Sequence, residues 1–81
     1  LAKLPVPKGE ELVKFLEHLG FKKIRMKGSH TRLKHHDGRV TTVPIHKGRT
    51  IPKGLLRKII REDLEIDLEE FIRLYEDYKG K

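Results

Sequence analysis

The sequence contains no cysteine and no tryptophan, and its aromatic residues number only three Phe and two Tyr. Without cysteine there are no disulfide staples, thiol nucleophiles, redox pairs or zinc-finger thiolate ligands. With Phe21, Tyr75 and Tyr78 so few and so scattered, a base-stacking platform of the single-strand-binding kind is not expected. No apolar run approaches the ~20 residues of a membrane span. The opening Leu-Ala-Lys-Leu-Pro-Val-Pro is too short and too soon interrupted to read as a signal peptide. The expectation is a soluble cytoplasmic protein. At 81 residues the chain has room for one modest core, burying roughly 60–65% of its unfolded surface, and none for separate cofactor and substrate domains.

What is abundant is positive charge, and it is unevenly placed. The formal net charge is +7, from 19 Lys+Arg against 12 Asp+Glu. Residues 1–20 balance three Lys with three Glu, residues 21–61 set 13 Lys+Arg against the single acid Asp37, and residues 62–81 hold three basic and eight acidic residues. So cationic a block repels itself, which implies a polyanionic partner, compensation by the acidic end, or a solvated surface with no ligand.

Leu12, Phe15, Leu16 and Leu19 recur at helical spacing and predict a helix from about Gly9 to Leu19, stopped by Gly20. Phe21–Lys27 reads as a strand with Ile24 and Met26 on a buried face and Arg25 and Lys27 on the other. After a Gly28-Ser29 turn, Thr31–His35 and Arg39–Ile45 predict two strands joined through Asp37-Gly38, the second closed by Pro44. Pro52 suits the first turn of a second helix reaching about Glu62, with Leu55, Leu56, Ile59 and Ile60 inward. A last helix starts near Asp67, expected to cap it with Glu70 as its capping-box partner. The fold class is α+β: a three-stranded antiparallel sheet with helices on one face, the other face left to water or a ligand.

Four of the five histidines, His30, His35, His36 and His46, fall in the basic block. Their spacing matches no zinc signature, and His35 and His36, as neighbours on a regular strand, would point to opposite faces. His18, on a polar helix position, reads as solvated surface. His30 is set apart by its surroundings, since Lys27-Gly-Ser-His30 follows a cationic strand. An imidazole there can take a proton from a ribose 2′-hydroxyl or return one to a departing 5′-oxygen, while nearby Lys and Arg offset charge on phosphorus. The plainer readings are a turn residue or a phosphate contact. Gly28 either only forms the turn or lets the backbone approach a phosphate. Ser29 either bonds a phosphate or holds the turn. His46 is a second titratable candidate or a structural hydrogen-bonding group. Arg25, Lys27 and Arg32 are the expected phosphate cations, and Lys53 sits at a helix start that favours anions.

Gly20-Phe21, Arg25-Met-Lys-Gly-Ser-His30, Asp37-Gly38, Val43-Pro-Ile-His46 and Pro52-Lys-Gly-Leu-Leu-Arg-Lys-Ile59, in this order, resemble the HicA toxin family of toxin–antitoxin modules, from about Glu11 to Phe71. The resemblance implies a double-stranded-RNA-binding-domain-like α-β-β-β-α fold with an additional C-terminal helix. On that reading residues 1–81 form a single domain, with a core at about 8–64 and a last helix at about 67–78. It also implies an endoribonuclease (mRNA interferase) that cleaves mRNA without the ribosome and is neutralised by a HicB-type antitoxin; the imidazole route itself needs no metal or other cofactor, which suits a chain with no carboxylate cluster to hold Mg²⁺. His30 stands at the family's catalytic position, and Lys53 at a helix start that contacts phosphate in double-stranded-RNA-binding folds. Where the family often begins its first helix after Ser or Thr, this chain has Pro7-Lys8. Two other readings stand beside this one: a non-catalytic RNA-binding module, and an interaction module whose main partner is an acidic antitoxin.

Overall fold

The computed structural model describes residues 3–80. Helix α1 (Gly9–His18) leads into an antiparallel sheet of β1 (Phe21–Lys27), β2 (His30–His35) and β3 (Val40–Pro44), in the order β1-β2-β3. Helix α2 (Lys53–Lys58) runs on into a π-helical turn, Ile59–Leu64, and α3 (Leu68–Lys79) ends the described chain. This is the expected α+β layout, with an open sheet and all helices behind it.

The core lies between sheet and helices. Leu12, Phe15 and Leu16 of α1, Phe21, Leu33 and Val43 of the sheet, Leu56, Ile59, Ile60 and Leu64 of the second helical segment, and Phe71 and Tyr75 of α3 are all buried together. The acidic C-terminal helix therefore belongs to the core through its apolar stripe. Phe15 of α1 meets Phe71 and Tyr75 edge-on, with ring centroids 5.4 and 5.0 Å apart, and the exposed His18 ring lies tilted against that of Tyr78, 4.9 Å between centroids.

Several local expectations change. At the start of α1 no side-chain cap takes the place of Ser or Thr; Glu11 makes only the reciprocal half of a capping box, accepting the Lys8 backbone N–H at 2.8 Å. Asp67 occupies the N-cap of α3 but its side chain makes no capping hydrogen bond, so the predicted capping box with Glu70 is not formed. Glu70 instead accepts from Arg73 at 2.8 Å.

The second helix does not stay α-helical to Glu62. In an α-helix Asp63 would share the inward face with Ile59 and Ile60, four and three residues away. The π turn, with hydrogen bonds to the fifth residue, keeps Ile59, Ile60 and Leu64 buried. Asp63 moves to the sheet edge, where its Oδ2 accepts the Thr41 hydroxyl at 2.9 Å. This avoids burying an unpaired carboxylate, which is strongly unfavourable.

The largest correction concerns β1. Ile24 and Met26 are not on a buried face; they are 53% and 67% exposed. Lys23 pairs with Leu33 but Arg25 pairs with Arg32, leaving Ile24 as the extra residue of a β-bulge. With Phe21 inward, strict alternation would turn Arg25 and Lys27 toward the helices. The bulge reverses the parity, so Arg25 and Lys27 share the open face with Arg32 and His30. Met26 falls on the helix side opposite buried Thr31, but it sits near the outer end of an edge strand and stays exposed.

Candidate active site on the open sheet face

His30 opens β2, the central strand, with Lys27 across the ladder on one side and Pro44 on the other. One register step along the same face, Arg32 lies between Arg25 and Thr42 and donates to the Thr42 hydroxyl at 3.2 Å. Arg25, Lys27, His30, Arg32 and Thr42 together line a shallow depression of about 170 Å³. Three cations thus surround one imidazole with no acid among them.

The turn before His30 is built by Gly28, whose φ of +60° contrasts with an ordinary Ser29, the pattern of a two-residue type II′ hairpin. The Ser29 carbonyl accepts the Ile45 backbone N–H, tying the turn to the chain beyond β3. Gly28 and Ser29 thereby set the position of His30 from below and do not line the depression.

The two histidines of β2 have opposite surroundings. His35, at the far end of the strand, is buried; its Nε2 donates to the Leu19 carbonyl at 3.1 Å and its Nδ1 accepts the Asp37 N–H at 3.2 Å. Its ring also packs against Phe21 at 5.1 Å. Both nitrogens are engaged in holding the α1–β1 corner to the β2–β3 hairpin. His36 lies in the hairpin turn, and its ring is 4.3 Å from that of His35, so the two do not diverge to opposite faces. His30 is exposed, and no protein group among the described residues hydrogen-bonds its ring, so either nitrogen can meet a ligand.

Asp37, the lone acid of the basic block, is a strand length of about 17 Å from His30. Its carboxylate is occupied by the Arg39 N–H at 3.0 Å and guanidinium at 2.8 Å. The Arg39 N–H chiefly, with its guanidinium adding, holds the Asp37 carboxyl below the ordinary range against some desolvation. It does not dilute the field around His30.

Of the residues expected from sequence, the structure gathers Arg25, Lys27 and Arg32 with His30. His46 is exposed beyond β3, and Lys53 is exposed at the start of α2; neither lines the depression. Thr42 was missed, because register alone places it beside Arg32. Lys58 and Asp63 were missed as well: they line a second groove that His30 also borders, and only the π turn puts Asp63 there.

These features define a small α+β domain presenting one free histidine within a cationic sheet face. The profile of a family described as the HicA toxin of bacterial toxin–antitoxin systems matches residues 9–64. The chain belongs to the HicA toxin family, and its class of activity is that of a toxin-antitoxin toxin. No curated relative matches it. No helix among the described residues is long and apolar enough to cross a membrane.

Proposed function

We propose that this toxin is a metal-independent endoribonuclease that cuts mRNA in the cytoplasm, with His30 as its acid–base group and a HicB-type antitoxin as its partner. The observation that carries the reading is the grouping of a freely accessible imidazole with Arg25, Lys27 and Arg32 in one depression. The RNA backbone lies across the open face. His30 takes the proton from a ribose 2′-hydroxyl, the 2′-oxygen bonds to phosphorus, and the P–O5′ bond breaks. A proton then passes to the departing 5′-oxygen, leaving a 2′,3′-cyclic phosphate and a 5′-hydroxyl. The three cations offset the charge that builds on the phosphoryl oxygens.

The family assignment supports the toxin role, and a carboxylate-free face suits a polyanion. The test is a His30→Ala protein. It is expected to fold and to bind its antitoxin while neither cutting RNA nor arresting growth, and wild-type cleavage is expected to persist in EDTA. Undiminished cleavage by His30→Ala would overturn the assignment, and intact RNA after incubation with wild-type protein would favour a binding module.

A further inference from the structure

His30 borders two depressions of different chemistry. The first, on the open face, is the cationic one. The second is a groove of about 440 Å³ that continues from His30 over the edge of β3 toward the second helical segment, within the size range of small-molecule pockets. Val40, Pro44, Leu55 and Ile59 give it apolar walls, and Lys58 and Asp63 are its charged groups on the helical side. The two share Arg32 and Thr42 as well as His30, but a phosphate in the first meets cations alone, whereas on the helical side of the second Asp63 stands beside Lys58 and offsets its attraction for an anion. A nucleobase, with apolar faces and a polar edge, fits the second.

We propose that this groove is a base-reading subsite for the nucleotide beside the cleaved phosphate, with guanine as its preferred occupant; the proposal rests on the cleavage reading above. The Thr41 hydroxyl engages Oδ2 of Asp63 and fixes the carboxylate at the sheet edge. A carboxylate has four acceptor positions, so Asp63 keeps capacity for two further donors. Lys58 supplies donors only. Guanine alone among the RNA bases presents on its Watson–Crick edge one acceptor, O6, followed by two donors, N1–H and the 2-amino group. Lys58 meets O6, and Asp63 accepts from N1–H and the amino group.

The backbone supports this pairing. In an α-helix, residues five apart diverge by ~140° around the axis. The π turn beginning at Ile59 hydrogen-bonds over five residues and brings Lys58 and Asp63 to one groove. Single-turn π segments recur at functional sites for this kind of re-aiming.

The test uses short single-stranded oligoribonucleotides that differ at one position, carrying guanosine, inosine, adenosine, cytidine or uridine. Wild-type protein is expected to cut beside guanosine roughly tenfold faster than beside the other standard bases. Inosine, which keeps O6 and N1–H but lacks the amino group, is expected to fall between. Asp63→Asn and, separately, Lys58→Ala are expected to bring cleavage beside guanosine toward the rate at the other bases. Equal wild-type cleavage at all four bases, or a guanosine preference untouched in both variants, would overturn the subsite. Lys58 is exposed, so its variant keeps the test valid if Asp63→Asn does not fold. Binding of the same oligonucleotides to the His30→Ala protein separates the two readings. Tighter binding of the guanosine oligomer that is lost on adding Asp63→Asn supports the subsite even if the wild-type protein cuts nothing, and equal binding of all five counts against it.

Discussion

Lys27 and His30 face each other directly across the β1–β2 ladder, closing a two-residue turn on the open side of the sheet. Opposed residues on one face of an antiparallel pair have Cβ atoms about 5 Å apart. An ammonium and an imidazole so placed can act on one phosphate group. The adjacent pair, Arg25 and Arg32, brings two like charges together, which is unfavourable until an anion lies between them. The face is therefore strained electrostatically in a way that a phosphodiester backbone relieves.

That relationship predicts a salt dependence. With His30→Ala protein, so that RNA stays intact, binding is expected to weaken linearly in log–log form as salt rises. Each phosphate neutralised on a single strand contributes a slope of about −0.7. Lys27→Ala and Arg25→Ala are each expected to make the slope shallower by about that amount. Lys53→Ala, outside the depression, is expected to leave it unchanged. A slope that responds equally to all three would show general charge attraction and no located site.

Deleting Ile24 tests the bulge. It is the unpaired residue between Lys23 and Arg25, so its removal joins two correctly paired stretches. Arg25 and Lys27 keep their partners Arg32 and His30. The deletion variant is expected to fold and to retain RNA affinity within about threefold, since no phosphate contact worth a larger factor is lost. Inserting one residue between Arg25 and Lys27 is expected to turn Lys27 off the face and weaken binding. Binding titrations on the two variants check both outcomes.

The bulge also marks where the sequence was legible. Phe21 and the Ile24/Met26 pair have opposite parity, and one regular strand cannot bury both. That mismatch was visible, but which residue yields depends on where the helices cover the sheet. Element order, the exposed face and the grouping of cations with His30 followed from periodicity and charge, which are local properties. The π turn did not, because its cause is the position of Asp63 relative to the β3 edge, a contact 22 residues apart in sequence. The roles of the other histidines were equally hidden. His35 is structural only because Leu19 and Asp37 reach it from two other segments.

Gly20 is expected to tolerate no side chain. Its φ of +106° lies where L residues are strained, and a Cβ would come within 2.8 Å of His35 Nε2. Gly20→Ala therefore combines backbone strain with loss of the bond from His35 to Leu19. A destabilisation of about 2–4 kcal/mol is expected from these two effects together, to be measured by urea unfolding. Gly28→Ala meets no atom within 4 Å and is strained only by its φ of +60°, so a smaller loss of about 1 kcal/mol is expected.

The C-terminal helix is predicted to be required for folding even though residues 9–64 carry the family match. Phe71 is fully buried and packs against Phe15 and Tyr75. Phe71→Ala is expected to cost about 3–5 kcal/mol, a large part of the 5–15 kcal/mol typical of a small domain. A chain ending at residue 66 loses Phe71, Ile72 and Tyr75 together and is expected to give no cooperative thermal transition. A sharp transition in that truncated chain would show that the core closes without α3.

The pH dependence of unfolding on the acid side takes its sign from two carboxylates. Glu11 is held below its ordinary range chiefly by the Lys8 backbone N–H, and Asp37 chiefly by that of Arg39. For groups lowered in the folded state, the unfolded chain takes up protons first. Their stabilisation is complete above the unfolded values of about 4 and is lost as pH falls through the lower folded values. Unfolding free energy is thus expected to be insensitive to these two groups at neutral pH and to drop below about pH 4. Asp37→Asn is expected to flatten part of that drop. It also removes the charge that holds Arg39, whose guanidinium donates to the Leu64 carbonyl at the end of the π turn at 2.7 Å. The variant therefore loosens the hairpin and the π turn together, which hydrogen exchange at Leu64–Ile66 would register at pH 7, where the titration itself is silent.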